Sequence, residues 1–302
     1  MRARSKMPTW PWSATTSHEI GRARMRSAET VRRSVPARRA TRAATELSAL
    51  LAIAQRDVTK LLRDRPRLAV NLAFPVLLIA GLGGLLQATV GKVTGLSTIT
   101  LAFTGVLAAS LFQSTAAGMI SIVEDRENDF SRELFIAPVS RLTLLAGKIA
   151  GESTVALCQG AVIVAFALAF GVRISGLQAL GLAATGIACC LLGSAFGLAT
   201  IAALPNQRSA MEIFQFLIIP QYVLGGVLVP LNGAPRLLGD IAWLMPMRYC
   251  VDLVRAAFYA GIPGYGQVVI TGVGVDLAVL AVLAAALLTA GAALFSYRER
   301  VR

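Results

Sequence analysis

Six stretches of the chain are apolar almost without interruption: residues 68–90, 97–123, 142–172, 177–204, 213–231 and 273–295. Each lies near or above the ~20 residues that an α-helix needs to cross a ~30 Å hydrocarbon layer. The second and fourth contain no charged residue, the third is clean only after Glu152, and the sixth holds one acid, Asp276, near its start. A spanning segment has to satisfy its own backbone hydrogen bonds, so the pattern predicts helices. The short alternating strands of a β-barrel are missing from it. So many runs in one chain also argue against the buried helices of a soluble core.

Ahead of the first run, Leu47, Leu50, Leu51, Ala54, Val58, Leu61 and Leu62 recur at steps of three and four, while Gln55, Arg56, Asp57, Thr59, Lys60 and Arg63 fill the other side. This spacing predicts an amphipathic helix over 46–66, ending at Pro66. A basic polar face leading directly into a span suits a helix lying on the inner leaflet; packing on another protein domain is the alternative. Residues 1–45 are rich in Arg, Ser, Thr and Ala and read as a disordered basic tail, with Met25 as an alternative start. No apolar core precedes Leu47, so no signal peptide is expected. The expected organisation is thus a tail (1–45), an interfacial helix (46–66) and a six-span domain (67–302), in an all-α integral membrane protein.

Composition sharpens this. The 302 residues are 56% hydrophobic and 15% charged, whereas soluble domains run near 45–50% and 25%. Mean hydropathy is +0.67. The formal net charge of +13 points instead toward a polyanion, until it is located. Residues 1–67 hold sixteen Lys+Arg and five Asp+Glu, so +11 of the charge belongs to them and the apolar body is nearly neutral. With six spans, the side bearing both termini collects 24 of the 29 Lys+Arg. The positive-inside rule places that side, and both termini, in the cytoplasm of an inner or plasma membrane.

Between the second and third runs the chain reads Glu124-Asp125-Arg126-Glu127-Asn128-Asp129-Phe130-Ser131-Arg132-Glu133-Leu134-Phe135-Ile136-Ala137-Pro138-Val139-Ser140-Arg141, then reaches Gly147-Lys148. Dense charge, an apolar patch at Phe130, Leu134 and Ile136, and a stop at Pro138 predict a short cytoplasmic helix. The order of residues resembles the cytoplasmic loop of type-2 ATP-binding-cassette (ABC) exporter permeases, in the daunorubicin-resistance and nodulation-factor export branch. The matching positions are Asp125, Arg126, Glu127, Phe130, Arg132, Glu133, Ala137, Pro138, Val139, Ser140, Arg141, Gly147 and Lys148. Asp129 departs from the glycine common there. Two further stretches are similar to the same family: Leu224-Gly225-Gly226-Val227-Leu228-Val229-Pro230-Leu231, and Met245-Pro246-Met247-Arg248-Tyr249-Cys250-Val251-Asp252-Leu253-Val254-Arg255.

The resemblance implies the transmembrane half of an exporter, pairing with a second permease copy (a homodimer) and with separate ABC ATPase subunits that use ATP and Mg. Substrates in this family are drugs, lipids and glycoconjugates. Asp125, Arg126, Glu127, Phe130, Arg132, Glu133, Leu134 and Pro138 would form the coupling helix seated on the ATPase. The outer stretch 232–272 would form re-entrant helices, with Pro230, Pro246, Tyr249, Asp252 and Arg255 in that region. Independently, 235–244 and 249–260 are helix-compatible yet too short to cross.

Other chemistry is not apparent. Gly91-Lys92 and Gly147-Lys148 lack the remainder of a phosphate-binding loop, so no ATP site, cofactor or metal is expected on this chain. The single His, His18, leaves no triad or zinc site, and Cys158, Cys189, Cys190 and Cys250 read as small buried hydrophobes. Glu152 follows Lys148, and Glu212 follows Arg208, at helical i,i+4 spacing, which predicts ion pairs near span ends rather than a proton relay. Asn71, Gln113, Gln159, Gln215 and Gln221 would face the bundle interior or a dimer seam. Gly193 and Gly197 have close-packing spacing, which carries little weight in a chain with 27 glycines. A secondary transporter, or a tethered protein whose basic tail grips a polyanion, are the alternative readings. Trp10 and Trp12 do not amount to a nucleic-acid-binding signature, so no nucleic acid partner is expected.

Overall fold

The computed structural model describes residues 48, 51–52, 54–60, 63, 65–84, 97–127, 141–202, 204, 206–231 and 235–301. Among them the structure is helical, without strands. The chain divides into two units, Met1–Ser48 and Ala49–Arg302, and every described residue after Ser48 belongs to the second. The tail, and Phe130, Arg132, Glu133, Leu134 and Pro138 of the loop, lie outside the described residues.

Helix α1 spans Arg65–Leu77 and runs into a π-helical turn, Leu78–Leu82. Pro75 lies inside α1; a proline there withholds one backbone donor and crowds the preceding turn. Helices α2 (Thr98–Glu127), α3 (Arg141–Ala169) and α4 (Gly176–Ala202) are long and apolar. Helix α5 (Gln207–Leu224) starts where the Asn206 side chain accepts a hydrogen bond from the Ser209 amide at 2.8 Å, satisfying a first-turn donor. Two short helices follow, α6 (Arg236–Ala242) and α7 (Pro246–Tyr259), the latter opened by a proline at its first turn. A single turn, α8 (Tyr265–Val268), precedes the last long helix, α9 (Val273–Val301).

Among the described residues, four stretches are long and apolar enough to cross a membrane: Thr98–Val123, Thr143–Ala169, Gly176–Ala202 and Tyr265–Gly291. They correspond to the second, third, fourth and sixth runs. The last is interrupted by non-helical residues between α8 and α9. The first run appears as a shorter apolar helix, Asn71–Gly81. The fifth appears as α5, whose Arg208, Glu212, Gln215 and Gln221 dilute its hydropathy.

Helix α2 sits at the centre, packed on α3, α4, α5 and α7. Its contact with α4 is made by glycine. A Cβ at Gly193 would collide with Thr115 and the Phe112 carbonyl, and one at Gly197 with the Ala116 backbone. The Gly193–Gly197 spacing is therefore a real close approach. Phe112 and Phe196 pack beside it with ring centroids 5.4 Å apart.

Candidate functional site

Two polar assemblies interrupt the apolar bundle. The first borders a cavity of about 450 Å³ among α1, α2, α3, α5 and the segment 54–60. Asn71, Gln113, Gln159 and Gln215 line it, as the sequence suggests, together with Phe74, Phe214 and Tyr222. The Tyr222 hydroxyl donates to Gln113 Oε1 at 2.7 Å, and Ser114 donates to Gln159 Oε1 at 2.8 Å. Gln159 Nε2 is buried without a partner, leaving a donor in the wall. Phe74 meets Tyr222 edge-on at 6.3 Å. The wall thus joins amide and hydroxyl groups to aromatic surface, as ligand cavities do.

Lys148 also lines the cavity and closes a buried ionic group. Its Nζ lies 2.6 Å from Glu152 and 3.0 Å from Asp57, which also pairs with Arg56 at 3.2 Å. The expected Lys148–Glu152 pair is present; it is buried, and it has a third member. Asp57 belongs to the side of segment 54–60 that the sequence pattern turns outward, yet only 5% of it is exposed, while Leu51 on the apolar side is 58% exposed. Glycines make room: a Cβ at Gly118 would strike Glu152, and one at Gly151 would crowd Ala54 and Asp57. The Arg208–Glu212 pair forms as expected, in an exposed position.

The second assembly lies around α7. This helix is 14 residues long, about 21 Å at 1.5 Å per residue. Nearly all of it is buried, including Arg248, Tyr249, Asp252 and Arg255. Arg255, 1% exposed, donates through Nη2 to the carbonyls of Gly226 (2.7 Å) and Val227 (3.3 Å). Gly226 has φ 69°, a left-handed turn that ends α5 and suits glycine. The Met247 amide donates to Gln221 Oε1 at 3.2 Å, so Gln221 serves this turn instead of the cavity. The stretches 224–231 and 245–255 are therefore joined directly through Arg255, and Gln221, just ahead of the first, bonds the second. Arg248 stacks 4.0 Å over the Trp243 ring, and Tyr249 donates to the Trp243 carbonyl at 2.8 Å. Pro246 opens α7, and Pro230 is half-buried beyond the Gly226 turn.

Asp252 holds the break before α9. Its carboxylate accepts from the Ile270 amide (2.9 and 3.1 Å), the Thr271 amide (2.7 Å) and the Thr271 hydroxyl (2.6 Å). The same hydroxyl lies 2.5 Å from Asp276, which is fully buried. The sequence marks Asp276 as a lone acid near a span end and does not foresee this contact. Asp125, Arg126 and Glu127 form the last turn of α2. Among the described residues no cluster has the makings of a metal site. Cys189, Cys190 and Cys250 are buried as expected, but Cys158 is exposed.

Known proteins give this architecture a context. The family model for the ABC-2 type transporter matches residues 48–259. Nodulation protein J of Rhizobium leguminosarum bv. trifolii is 30% identical over 191 residues, covering 61% of this chain and 71% of that protein. Nodulation protein J of Rhizobium leguminosarum bv. viciae is 29% identical over 197 residues (61% and 72%), and that of Rhizobium meliloti strain 1021 is 27% identical over 191 residues (61% and 71%). The matched region takes in the cavity, the buried ionic group and all of α7, well over half of the chain, and on that ground this protein belongs to the ABC-2 type transporter family, as a membrane transport permease.

Proposed function

We propose that this chain is the membrane-spanning subunit of an ABC exporter, moving a drug, lipid or glycoconjugate out of the cytoplasm at the expense of ATP hydrolysed by a separate nucleotide-binding subunit. The observation that carries this reading is the cavity of about 450 Å³, lined by amides, hydroxyls and aromatic rings, inside a bundle that matches a transporter family. In this reading α1 and α5 are the two remaining spans, both termini are cytoplasmic in the inner or plasma membrane, and two copies pair. Segment 46–66 lies on the inner leaflet, exposing Leu51 to lipid. Residues 125–136 form the coupling helix. A rigid-body shift of the ATPases would press on it and move the end of α2.

Reconstitution of the chain with its co-purified ATPase in proteoliposomes tests this. Export should require ATP and persist with a protonophore; export that a protonophore abolishes and that survives loss of the ATPase indicates a secondary transporter. Phe130→Ala and Glu133→Arg should each weaken ATPase association or uncouple hydrolysis from export while the bundle stays folded. Full association and full export in both variants would remove the assignment of the coupling helix.

A further inference from the structure

The cavity among α1, α2, α3 and α5 mixes two kinds of surface. Asn71, Gln113, Gln159 and Gln215 bring carboxamides to it, while Phe74, Phe214, Val155 and Ile163 bring apolar and aromatic area. The fold does not use up the amides. Gln113 and Gln159 each accept one hydrogen bond through Oε1, from Tyr222 and Ser114. Gln159 is only 7% exposed, yet its Nε2 has no partner among the described residues. A buried donor left unmet costs free energy that a bound acceptor recovers. The charges of the wall, by contrast, are already matched. They are two carboxylates, Asp57 and Glu152, and two lysines, Lys60 and Lys148. Lys148 lies between both carboxylates, at 3.0 and 2.6 Å. Arg56, which also pairs with Asp57, is not among the lining residues, and its side chain is 36% exposed, so water screens its charge.

We infer that this cavity recognises an amphiphile with an uncharged, hydroxyl-bearing head group and disfavours charged head groups, an inference that rests on the exporter reading for its role as a cargo site. A carboxamide offers an acceptor and two donors, and a hydroxyl is donor and acceptor at once, so a hydroxylated head can meet the amides in either sense. Gln159 Nε2 is the donor that such a head would satisfy. A charged head would leave water for a wall whose own charges have no opposite charge to spare, and burying an unpaired charge is costly. The apolar surface of Phe74, Phe214 and Ile163 takes the body of the molecule. The volume of about 450 Å³ suits one head group and the chain next to it.

Equilibrium binding to the full chain in lipid nanodiscs, with protein-free discs as the blank, tests this. The probes share one tail: octyl glucoside is uncharged and hydroxylated, octyl phosphate is anionic and octyltrimethylammonium is cationic. Tritiated octyl glucoside should bind saturably. Both charged analogues, and glucose without a tail, should displace it about tenfold less effectively than unlabelled octyl glucoside. Gln159→Leu, of similar volume, removes the spare donor and should weaken binding by about tenfold. Glu152→Gln leaves the wall with a surplus cation and should improve displacement by octyl phosphate; if either variant fails to fold, the other still decides. Absence of saturable binding, charged analogues or free glucose that compete as well as octyl glucoside, unchanged binding in Gln159→Leu, or an unchanged ranking in Glu152→Gln would each overturn the inference. The measurement needs neither ATPase nor ATP, so its failure leaves the exporter reading standing, and a failure of ATP-driven export removes that reading alone.

Discussion

Lys148→Met provides a stringent test of the buried ionic group. Methionine keeps most of the stem and removes the charge. Asp57 and Glu152, 5% and 8% exposed, would then be left as two carboxylates without their shared cation. Arg56 offers partial relief to Asp57 at 3.2 Å but its side chain is 36% exposed, so its contribution is screened by water. Removing one partner of a buried pair costs about 3–5 kcal/mol. At about 2 °C per kcal/mol for a chain of this length, the melting temperature should fall by about 6–10 °C. Thermal denaturation in detergent, followed by tryptophan fluorescence, reads this directly. The decisive comparison is the triple variant Lys148→Met, Asp57→Asn, Glu152→Gln, which removes the stranded charges and should recover most of the loss, because a buried ion group replaced as a whole is often neutral in stability. A single variant that melts with the wild type, or a triple variant that melts below the single one, would refute the reasoning.

Two further outcomes concern the turn after α5 and the helices packed on it. Gly105→Ala places a Cβ on the Val227 carbonyl and should cost about 1–3 kcal/mol through overpacking; Gly239→Ala, where nothing lies within 4 Å, should be neutral or slightly stabilising, and equal melting shifts would count against the packing argument. Arg255→Leu strips donors from the Gly226 and Val227 carbonyls and should destabilise by about 1–3 kcal/mol for each acceptor left dry, measurable as a lower melting temperature.

Periodicity and length made the spans readable because a lipid-facing helix is selected for uniform hydropathy, and four of the runs emerge as long apolar helices. The same criterion is weak for α5, whose polar residues have cavity and turn partners that a hydropathy window cannot see. Lys148–Glu152 was legible because i,i+4 neighbours meet on any helix. Asp57 was not, since it lies 91 positions from Lys148 and only the packing of segment 54–60 on α3 joins them. The amphipathic pattern even pointed the wrong way, because a charged residue on a polar face looks solvated until a buried cation appears opposite it. Gly193 and Gly197 illustrate a similar limit. Their spacing is commonplace in a chain with 27 glycines, and what distinguishes them is the backbone of Phe112 and Ala116 across the interface. For α7, length and boundaries can be read from the prolines and glycines around it, but its buried Arg255 becomes intelligible only with the Gly226 turn in place.

The two polar assemblies stand at opposite ends of one helix. Helix α2 has 30 residues, about 45 Å at 1.5 Å per residue. Its spanning window is 67% buried, against 28–44% for the other three long spans. Toward its start, Gly105 receives the Val227 carbonyl and Phe103 meets Phe258 of α7 edge-on at 5.9 Å. Toward its end, Gly118 abuts Glu152, and the helix runs on to Glu127 at the threshold of the charged loop. Between these points α4 is set against it through Gly193 and Gly197. Contacts of this kind bring backbone onto backbone, and backbone cannot rotate away as a side chain can. A push delivered at the loop end of α2 would therefore reach the assembly around α7 through one stiff element, and the glycines at its contacts are the positions where added bulk should disturb both assemblies together.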